Sequence, residues 1–406
     1  MPSRPICASA PTRLWAGPEP GLDDVFWLAL ACLLVAAAGC LYLCVATVLV
    51  GRFARSRSAP LPGQSPSVTI LKPLHGDEAG LEDNLLSFCV QDYTRPVQVV
   101  FGVQDARDPA IAPATRLIER FPQRPIELVI DGQRHGSNAK ISNLVNMAGR
   151  IRHEVVVLAD SDMRVGPDYL ARVVAELQRP GIGGLTCLYH GIPATGIWSR
   201  LSALAIDTHF LPNVVVGVAL GLARPCFGST IALRRTTLAE IGGFKAFADI
   251  LADDHAMGAA LRTRGHALAI PAFAIGHVCG ETSLGELWRH EIRWARTIKA
   301  VDPAGYAGSG LTHALPFALM GGLFGGGWPA LTLAAIAIAC RIALCMRVER
   351  AFGLMPHPYW LLPVRDLLSF ATFIMSYLGA SVTWKGHDYR VTSEGTLIPE
   401  RRPPIP

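Results

Sequence analysis

Four groups of residues in this 406-residue chain have types and spacings suited to chemistry. Asp160-Ser161-Asp162 is an Asp-x-Asp directly after the apolar run 155–159. Two carboxylates held that close repel unless a cation lies between them, and hard divalent ions such as Mg²⁺ or Mn²⁺ take carboxylate oxygens together with substrate phosphates. An acidic turn or helix cap ahead of Pro167 has the same appearance. Gly136 to Asn143 (GSNAKISN) puts Lys140 in the first turn of a helix, where free backbone N–H groups already favour anions. A capping Ser137 or Asn138 beside a solvated lysine is the alternative. Asp253-Asp254-His255 opens an apolar helical stretch; acids there are stabilising, and one of them can act as a general base toward an acceptor hydroxyl.

The fourth group is Ser283 to Val301, SLGELWRHEIRWARTIKAV. As a helix it puts Arg289, Arg293 and Arg296 on one face and Leu284, Leu287, Trp288, Ile292, Ala295 and Ile298 on the other, the pattern of a basic amphipathic helix lying in a membrane interface. One arginine of that face can also turn toward a diphosphate. Glu291 falls inside the apolar stripe, so the pattern requires a partner for it or a break in the helix.

The elements that must position these residues are legible between about Ala59 and Val301. Candidate strands are Ser67–Leu71, Val97–Gln104, Ile126–Ile130 and Val155–Leu158; candidate helices are Glu78–Val90, Pro109–Phe121, Asn138–Arg150 and Pro167–Gln178. A βαβα series favours a parallel sheet with helices on both faces, and ligands then bind beyond the carboxyl ends of the strands. Asp105, Asp160 and Asp162 all lie just beyond such ends. There is no G-x-x-x-x-G-K-[ST] or G-x-G-x-x-G, which argues against a P-loop nucleotidase or a dinucleotide dehydrogenase.

Composition locates the rest. The chain is 50% hydrophobic and 17% charged, with a mean hydropathy of +0.32, against about 25% charged for an ordinary soluble protein. Val25 to Val50 is 26 residues without a charge, about 39 Å as a helix and longer than the roughly 30 Å hydrocarbon core. It is also longer than the core of a signal peptide. Arg52, Arg55 and Arg57 come after it and Asp23 and Asp24 precede it, so the positive-inside rule puts the domain on its C-terminal side in the cytoplasm, at the inner membrane. Leu311 to Met346, broken at Gly325–Pro329, reads as two more helices, and Pro358 to Trp384 as a further run carrying Arg365 and Asp366 as a mutual ion pair or in a lipid-facing cavity. The division is thus a tail (1–24), a membrane helix (25–50), a catalytic domain (59–282), an interfacial helix (283–301), a C-terminal region of two to four crossings (311–384) and a tail (385–406). The net charge of +5 comes from 32 arginines and five lysines with no basic block, so nucleic acid is not an expected partner. Ten scattered cysteines without a C-x-x-C pair suit small core positions in a reducing compartment.

Taken in order, Ile70-Leu71-Lys72-Pro73-Leu74, Val103-Gln104-Asp105 with Asp108-Pro109-Ala110, Asn138–Asn143, Asp160-Ser161-Asp162, Asp253-Asp254 and Arg293-Trp294 resemble the ceramide glucosyltransferase-like group of family 2/21 glycosyltransferases. The resemblance covers about residues 25–300 and extends loosely beyond. It implies an α/β GT-A fold, Rossmann-like with a mostly parallel sheet, flanked by N- and C-terminal transmembrane helices. It implies inverting transfer of a sugar from a UDP-sugar to a membrane lipid hydroxyl, with Mg²⁺ or Mn²⁺. Asp105 would hold the uridine with Lys140 nearby, Asp160 and Asp162 the metal and diphosphate, and Asp254 would be the base. Arg293 and Trp294 match the end of the (Gln/Arg)-x-x-Arg-Trp motif, whose first position is here His290, an acceptor- or phosphate-side residue together with Asp253. Cys226–Thr230, with Gly228 and Ser229, would by the resemblance line the acceptor side, a simple strand-turn being the alternative. Within the group the chain is most similar to bacterial enzymes that put N-acetylglucosamine on a hopanoid polyol; a ceramide or diacylglycerol glucosyltransferase, a processive polysaccharide synthase and a non-catalytic binding protein are the other readings.

Overall fold

The computed structural model describes residues 20–56, 65–379 and the short strands Ser381–Trp384, His387–Val391 and Leu397–Pro399. Arg57 and the tails lie largely outside the described residues. Between Val68 and Cys279 the strands are β1 (Val68–Pro73), β2 (Val97–Val103), β3 (Ile126–Ile130), β4 (Val155–Leu158), β5 (Met163–Arg164), β6 (Ile182–Thr186), β7 (Leu188–Pro193), β8 (Ile231–Arg234), β9 (Ala267–Ala269) and β10 (Ala274–Cys279). The four expected strands recur with ends shifted by at most two residues.

The main sheet has the order β3-β2-β1-β4-β8-β6-β9, with only β8 antiparallel to its neighbours. Its strands are apolar at successive positions because both faces are covered. Ile70, Phe101 and Val157 meet α2 (Leu81–Cys89), α3 (Ile111–Arg120) and α5 (Tyr169–Leu177) through Phe88, Leu117 and Leu170. Leu71, Val100 and Val156 point the other way, toward α4 (Ala139–Ala148), α8 (Arg235–Glu240) and α9 (Asp253–Thr263) through Ile141, Met147 and Leu261. After β6 the chain leaves this sheet at Cys187 and enters a second one, β5-β10-β7, in which β10 runs parallel to β7 and antiparallel to β5. The carboxyl ends of β1 and β4 and the strand β10 therefore open onto one cleft.

The helical part is built on α1 (Pro20–Phe53), which covers the expected Val25–Val50 span and extends past both ends. Leu43, Ala46 and Val50 pack against α12 (Ala314–Leu323), which comes after the short helix α11 (Pro303–Gly308), and against α13 (Gly327–Phe352) and α7 (Leu211–Ala219). Small residues permit this approach: a Cβ on Gly39 would stand 2.7 Å from the carbonyl of Leu311. The expected break at Gly325–Pro329 separates α12 from α13.

Among the described residues three helical segments are long and apolar enough to cross a membrane: Asp24–Phe53, Gly196–Ala219 and Gly327–Phe352. The second was not expected from the sequence; it joins α6 (Gly196–Ala205) to α7 through a π turn at Ile206–Phe210. The Pro358–Trp384 run is instead a helix of 16 residues, α14 (Leu362–Tyr377), succeeded by a strand, about 24 Å long and shorter than the hydrocarbon core. Arg365 and Asp366 do not pair with each other. They are both buried and turn apart, Arg365 to Glu291 and Asp366 to Arg341 and His209.

Candidate functional site

Asp160 comes just after β4 and stands beside the end of β1. Its backbone N–H donates to the carbonyl of Gly228 (3.3 Å), and the Lys72 ammonium, entirely buried at the end of β1, donates to its carbonyl. Lys72 also lies 3.9 Å from the centre of the Phe88 ring. Burial pulls the Lys72 pKa down to about 8, against the carboxylates of Asp162, Asp160 and Glu78, which raise it. In the sequence Lys72 is only one member of a motif; nothing in its spacing marks it as the buried prop beneath the Asp160 loop.

Lys140 sits in the first turn of α4, where the Asn138 side chain caps the helix by accepting from the N–H of Ile141 (3.1 Å). Its ammonium is 2.6 Å from Asp160 Oδ1 and 3.5 Å from Asp253 Oδ2. Burial pulls its pKa down, but Asp160, Asp253 and Asp254 together hold it above the ordinary lysine value. Burial in turn raises all three carboxyls above theirs, opposed chiefly by Lys140. The Asn138 amide donates to Asp253 Oδ1 (3.3 Å) and to the Ile250 carbonyl (2.7 Å), tying the start of α4 to the start of α9.

Asp254 is held by two backbone donors, the N–H of Gly228 (2.9 Å) and of His255 (2.7 Å). Gly228 has no room for a side chain: a Cβ there would meet Asp160 Oδ2 at 2.7 Å and Lys140 Nζ at 2.8 Å. Ser229, expected on the acceptor side, lies next to Gly228. Its hydroxyl is buried and turns inward to donate to the carbonyl of Cys187 (2.9 Å), the residue at which the chain crosses from one sheet to the other.

The Asp-x-Asp is divided. Asp160 goes to Lys140, whereas Asp162 Oδ2 faces His277 Nδ1 at 3.5 Å on β10. Asp162, His277, Glu78, Glu281, Arg289 and His290 line a cleft of about 360 Å³. Four buried atoms in it have no hydrogen-bond partner: Asp162 Oδ1, His277 Nδ1, Glu78 Oε2 and Glu281 Oε2. Burial and the neighbouring Asp162 push Glu78 up to about 7. Among the described residues no three acidic, His or Cys side chains already stand as a formed cation site. The unpartnered Asp162 oxygen, with the His277 nitrogen and Glu78 beside it, is nonetheless the kind of donor set a hard divalent cation takes.

Helix α10 (Leu284–Val301), capped by Ser283, closes the cleft. His290 Nδ1 is 2.5 Å from Glu281 Oε1, and the Trp294 ring packs 4.4 Å from that of His290 and 5.8 Å from that of His277. Arg293 is turned inward rather than out with the expected basic face. Burial lowers its pKa and the nearby Asp162, Asp160 and Tyr189 oppose that. Tyr189, also unmarked in the sequence, stacks on Phe210 with centroids 4.5 Å apart. Asp105 stands apart: it is exposed after β2, and its described partners are the N–H and guanidinium of Arg107, whose bonds hold its carboxyl below the usual range.

The chain can be set beside known proteins. The profile of Glycosyl transferase family 21 matches residues 31–397. The chain belongs to glycosyl transferase family 21. Among curated relatives, ceramide glucosyltransferase 1 of Caenorhabditis elegans is 25% identical over 50% of this chain and 44% of its own length, and the ceramide glucosyltransferase of Komagataella phaffii is 29% identical over 32% of this chain and 26% of its own. The match thus spans under half the length of either relative. Of solved structures, the mannosyltransferase PcManGT from Pyrobaculum calidifontis, in complex with GDP-Man and Mn²⁺, superposes with a TM-score of 0.51 at 21% identity, covering 87% of this chain and 99% of that one. That likeness fixes the fold as GT-A.

Proposed function

We propose that this family 21 chain is a membrane-bound hexosyltransferase that moves a sugar from a UDP-sugar to a lipid hydroxyl with inversion. The observation that carries the reading is the meeting of Asp254, Gly228, Asp160 and Lys140 at the strand ends, within bonding reach of one another. It gives two carboxylates two environments. Asp160 is neutralised by Lys140, while Asp254 is pinned by backbone donors, with burial raising its affinity for a proton. A carboxylate so placed is suited to take the proton of an acceptor hydroxyl, and fixed orientation supplies much of the rate.

Opposite, Arg293 brings a guanidinium toward Asp160 and Asp162, where it stabilises negative charge developing on the departing diphosphate. His290, oriented through Nδ1 by Glu281, is part of the cleft wall. Asp162, with His277 and Glu78, would hold Mn²⁺ or Mg²⁺, which supplies further charge for the diphosphate; the Mn²⁺ in the mannosyltransferase complex supports a divalent ion without choosing between the two. Asp105, exposed at the end of β2, is assigned to the uridine only by the family resemblance.

The apolar segments Asp24–Phe53, Gly196–Ala219 and Gly327–Phe352 support a chain held in a membrane, and Arg52 and Arg55 support an inner-membrane protein with its catalytic domain in the cytoplasm. The names of the curated relatives favour a glucosyl donor and a ceramide-type acceptor over N-acetylglucosamine transfer to a hopanoid polyol. The test is to reconstitute the purified chain in vesicles containing ceramide, diacylglycerol or a hopanoid polyol, supply UDP-glucose or UDP-N-acetylglucosamine with Mn²⁺, and weigh the lipids. One hexose on ceramide or diacylglycerol supports the reading favoured here, one N-acetylhexosamine on the hopanoid supports the other acceptor, and a polymer or no modified lipid refutes both.

A further inference from the structure

Glu291 is the residue that the helical pattern of α10 does not accommodate. Successive residues of a helix are about 100° apart, so Glu291 points away from a cleft that its neighbours His290 and Arg293 face. It is received by α14. Arg365, entirely buried, grips it with both terminal nitrogens, Nη1 to Oε1 at 2.5 Å and Nη2 to Oε2 at 2.8 Å, and Thr372 adds a hydroxyl bond to Oε2 at 3.2 Å. The same guanidinium donates to Ser369 (3.0 Å) and, across the bundle, to the carbonyl of Leu201 on α6 (3.3 Å). A two-pronged guanidinium–carboxylate contact fixes angle as well as distance. It therefore sets the rotation of α10 about its axis, which decides whether Arg293 and His290 face Asp160 and Asp162 or swing past them.

We propose that Arg365, acting through Glu291, is a positioning residue for the transfer reaction: the helical bundle holds the diphosphate-facing side of α10 in register with the cleft. The proposal rests on the hexosyltransferase reading above. A buried ion pair that merely stabilised the bundle would leave the chemistry of the folded fraction alone, and another buried contact provides the control. Glu349 on α13, also buried, accepts from the Tyr359 hydroxyl (2.6 Å) and the His357 N–H (2.7 Å), and these bonds do not involve α10.

The experiment compares Arg365→Gln, Arg365→Lys, Glu291→Gln, the double variant Glu291→Gln/Arg365→Gln, and Glu349→Gln as full-length protein in lipid discs. Two readouts are taken: hydrogen–deuterium exchange of residues 284–301 and, for the folded fraction, kcat and donor KM. Exchange in α10 should rise at least tenfold in the Arg365 and Glu291 variants and stay within twofold of wild type in Glu349→Gln. Displacing a reacting group by about 1 Å costs on the order of 100-fold, so kcat should fall about 10- to 100-fold with donor KM changed less than threefold. Arg365→Lys, which keeps the charge but not the fork and guards against a Gln variant that fails to fold, should fall between. The double variant should lose no more than either single one, as expected of two residues acting as a unit. Unchanged exchange in α10, or loosened exchange with kcat intact, overturns the proposal, as does a double variant whose losses multiply. Exchange decides the contact whether or not sugar is transferred, whereas absence of transfer by the wild-type chain counts against the hexosyltransferase reading alone.

Discussion

Replacing Lys140 by Met removes the cation that chiefly opposes the rise of the Asp160, Asp253 and Asp254 carboxyls, while keeping the length of the side chain. At 2.6 Å from Asp160, the pair attraction is about 6 kcal/mol at an effective dielectric constant of about 20. Desolvation of both ions offsets much of it. Breaking a buried pair costs about 3–5 kcal/mol, and because Asp160 keeps 32% of its side-chain surface in solvent, the expected loss is at the lower end, about 3 kcal/mol at pH 8. The sign with pH comes from Asp160, Asp253 and Asp254, whose folded values lie above the ordinary carboxylate range. Such groups favour the folded state while protonated and lose that contribution as pH rises through their folded values. Lys140 stays charged across this window and offsets the loss; methionine does not. The gap between wild type and Lys140→Met should therefore widen from pH 5 to pH 8. Urea unfolding of the detergent-solubilised chain, monitored by circular dichroism at the two pH values, measures it. Equal stability at pH 8, or a gap that narrows as pH rises, would show that Lys140 does not neutralise this cluster.

The site sets two other outcomes. Gly228→Ala drives a methyl into Asp160 and Lys140 and should cost about 1–3 kcal/mol through overpacking and more than 100-fold in kcat, checked by thermal unfolding and a UDP-release assay. Asp162→Asn and His277→Ala should each weaken Mn²⁺ binding at least tenfold, read by electron paramagnetic resonance of the free ion, whereas Asp105→Asn should leave it unchanged.

The parallel half of the sheet was legible because β1, β2, β3 and β4 are short apolar runs, each succeeded by a helical period, and both of their faces are buried. The carboxylates were legible as pairs, and their chemistry fixed where to look. What the pairs do to one another was not, because it depends on His277 and Glu281, which carry no local signal, and on contacts of Lys72 and Gly228 with Asp160 that bring together different strands and loops. Gly196–Ala219 is masked in the sequence because Arg200, Asp207 and His209 interrupt its hydropathy. Asp207 has bonding partners in the fold, the N–H of Gly191 at 2.8 Å and His357 at 2.8 Å, and His209 pairs with Asp366. Arg365 and Asp366 invited a mutual pair because they are adjacent, yet neighbours on a helix point about 100° apart and each found its partner on another helix. Glu291, anomalous in the sequence, was the visible half of one of those contacts.

Asp254 as the base of sugar transfer to a lipid is the step on which the proposed function stands. It is decided by measuring transfer of radiolabelled sugar from its UDP donor to bilayer lipid by wild type and Asp254→Asn in the same discs, with UDP affinity determined alongside. The expected result is at least about a 1,000-fold loss of transfer with UDP affinity within threefold of wild type. Transfer by Asp254→Asn at the wild-type rate would remove Asp254 from the reaction.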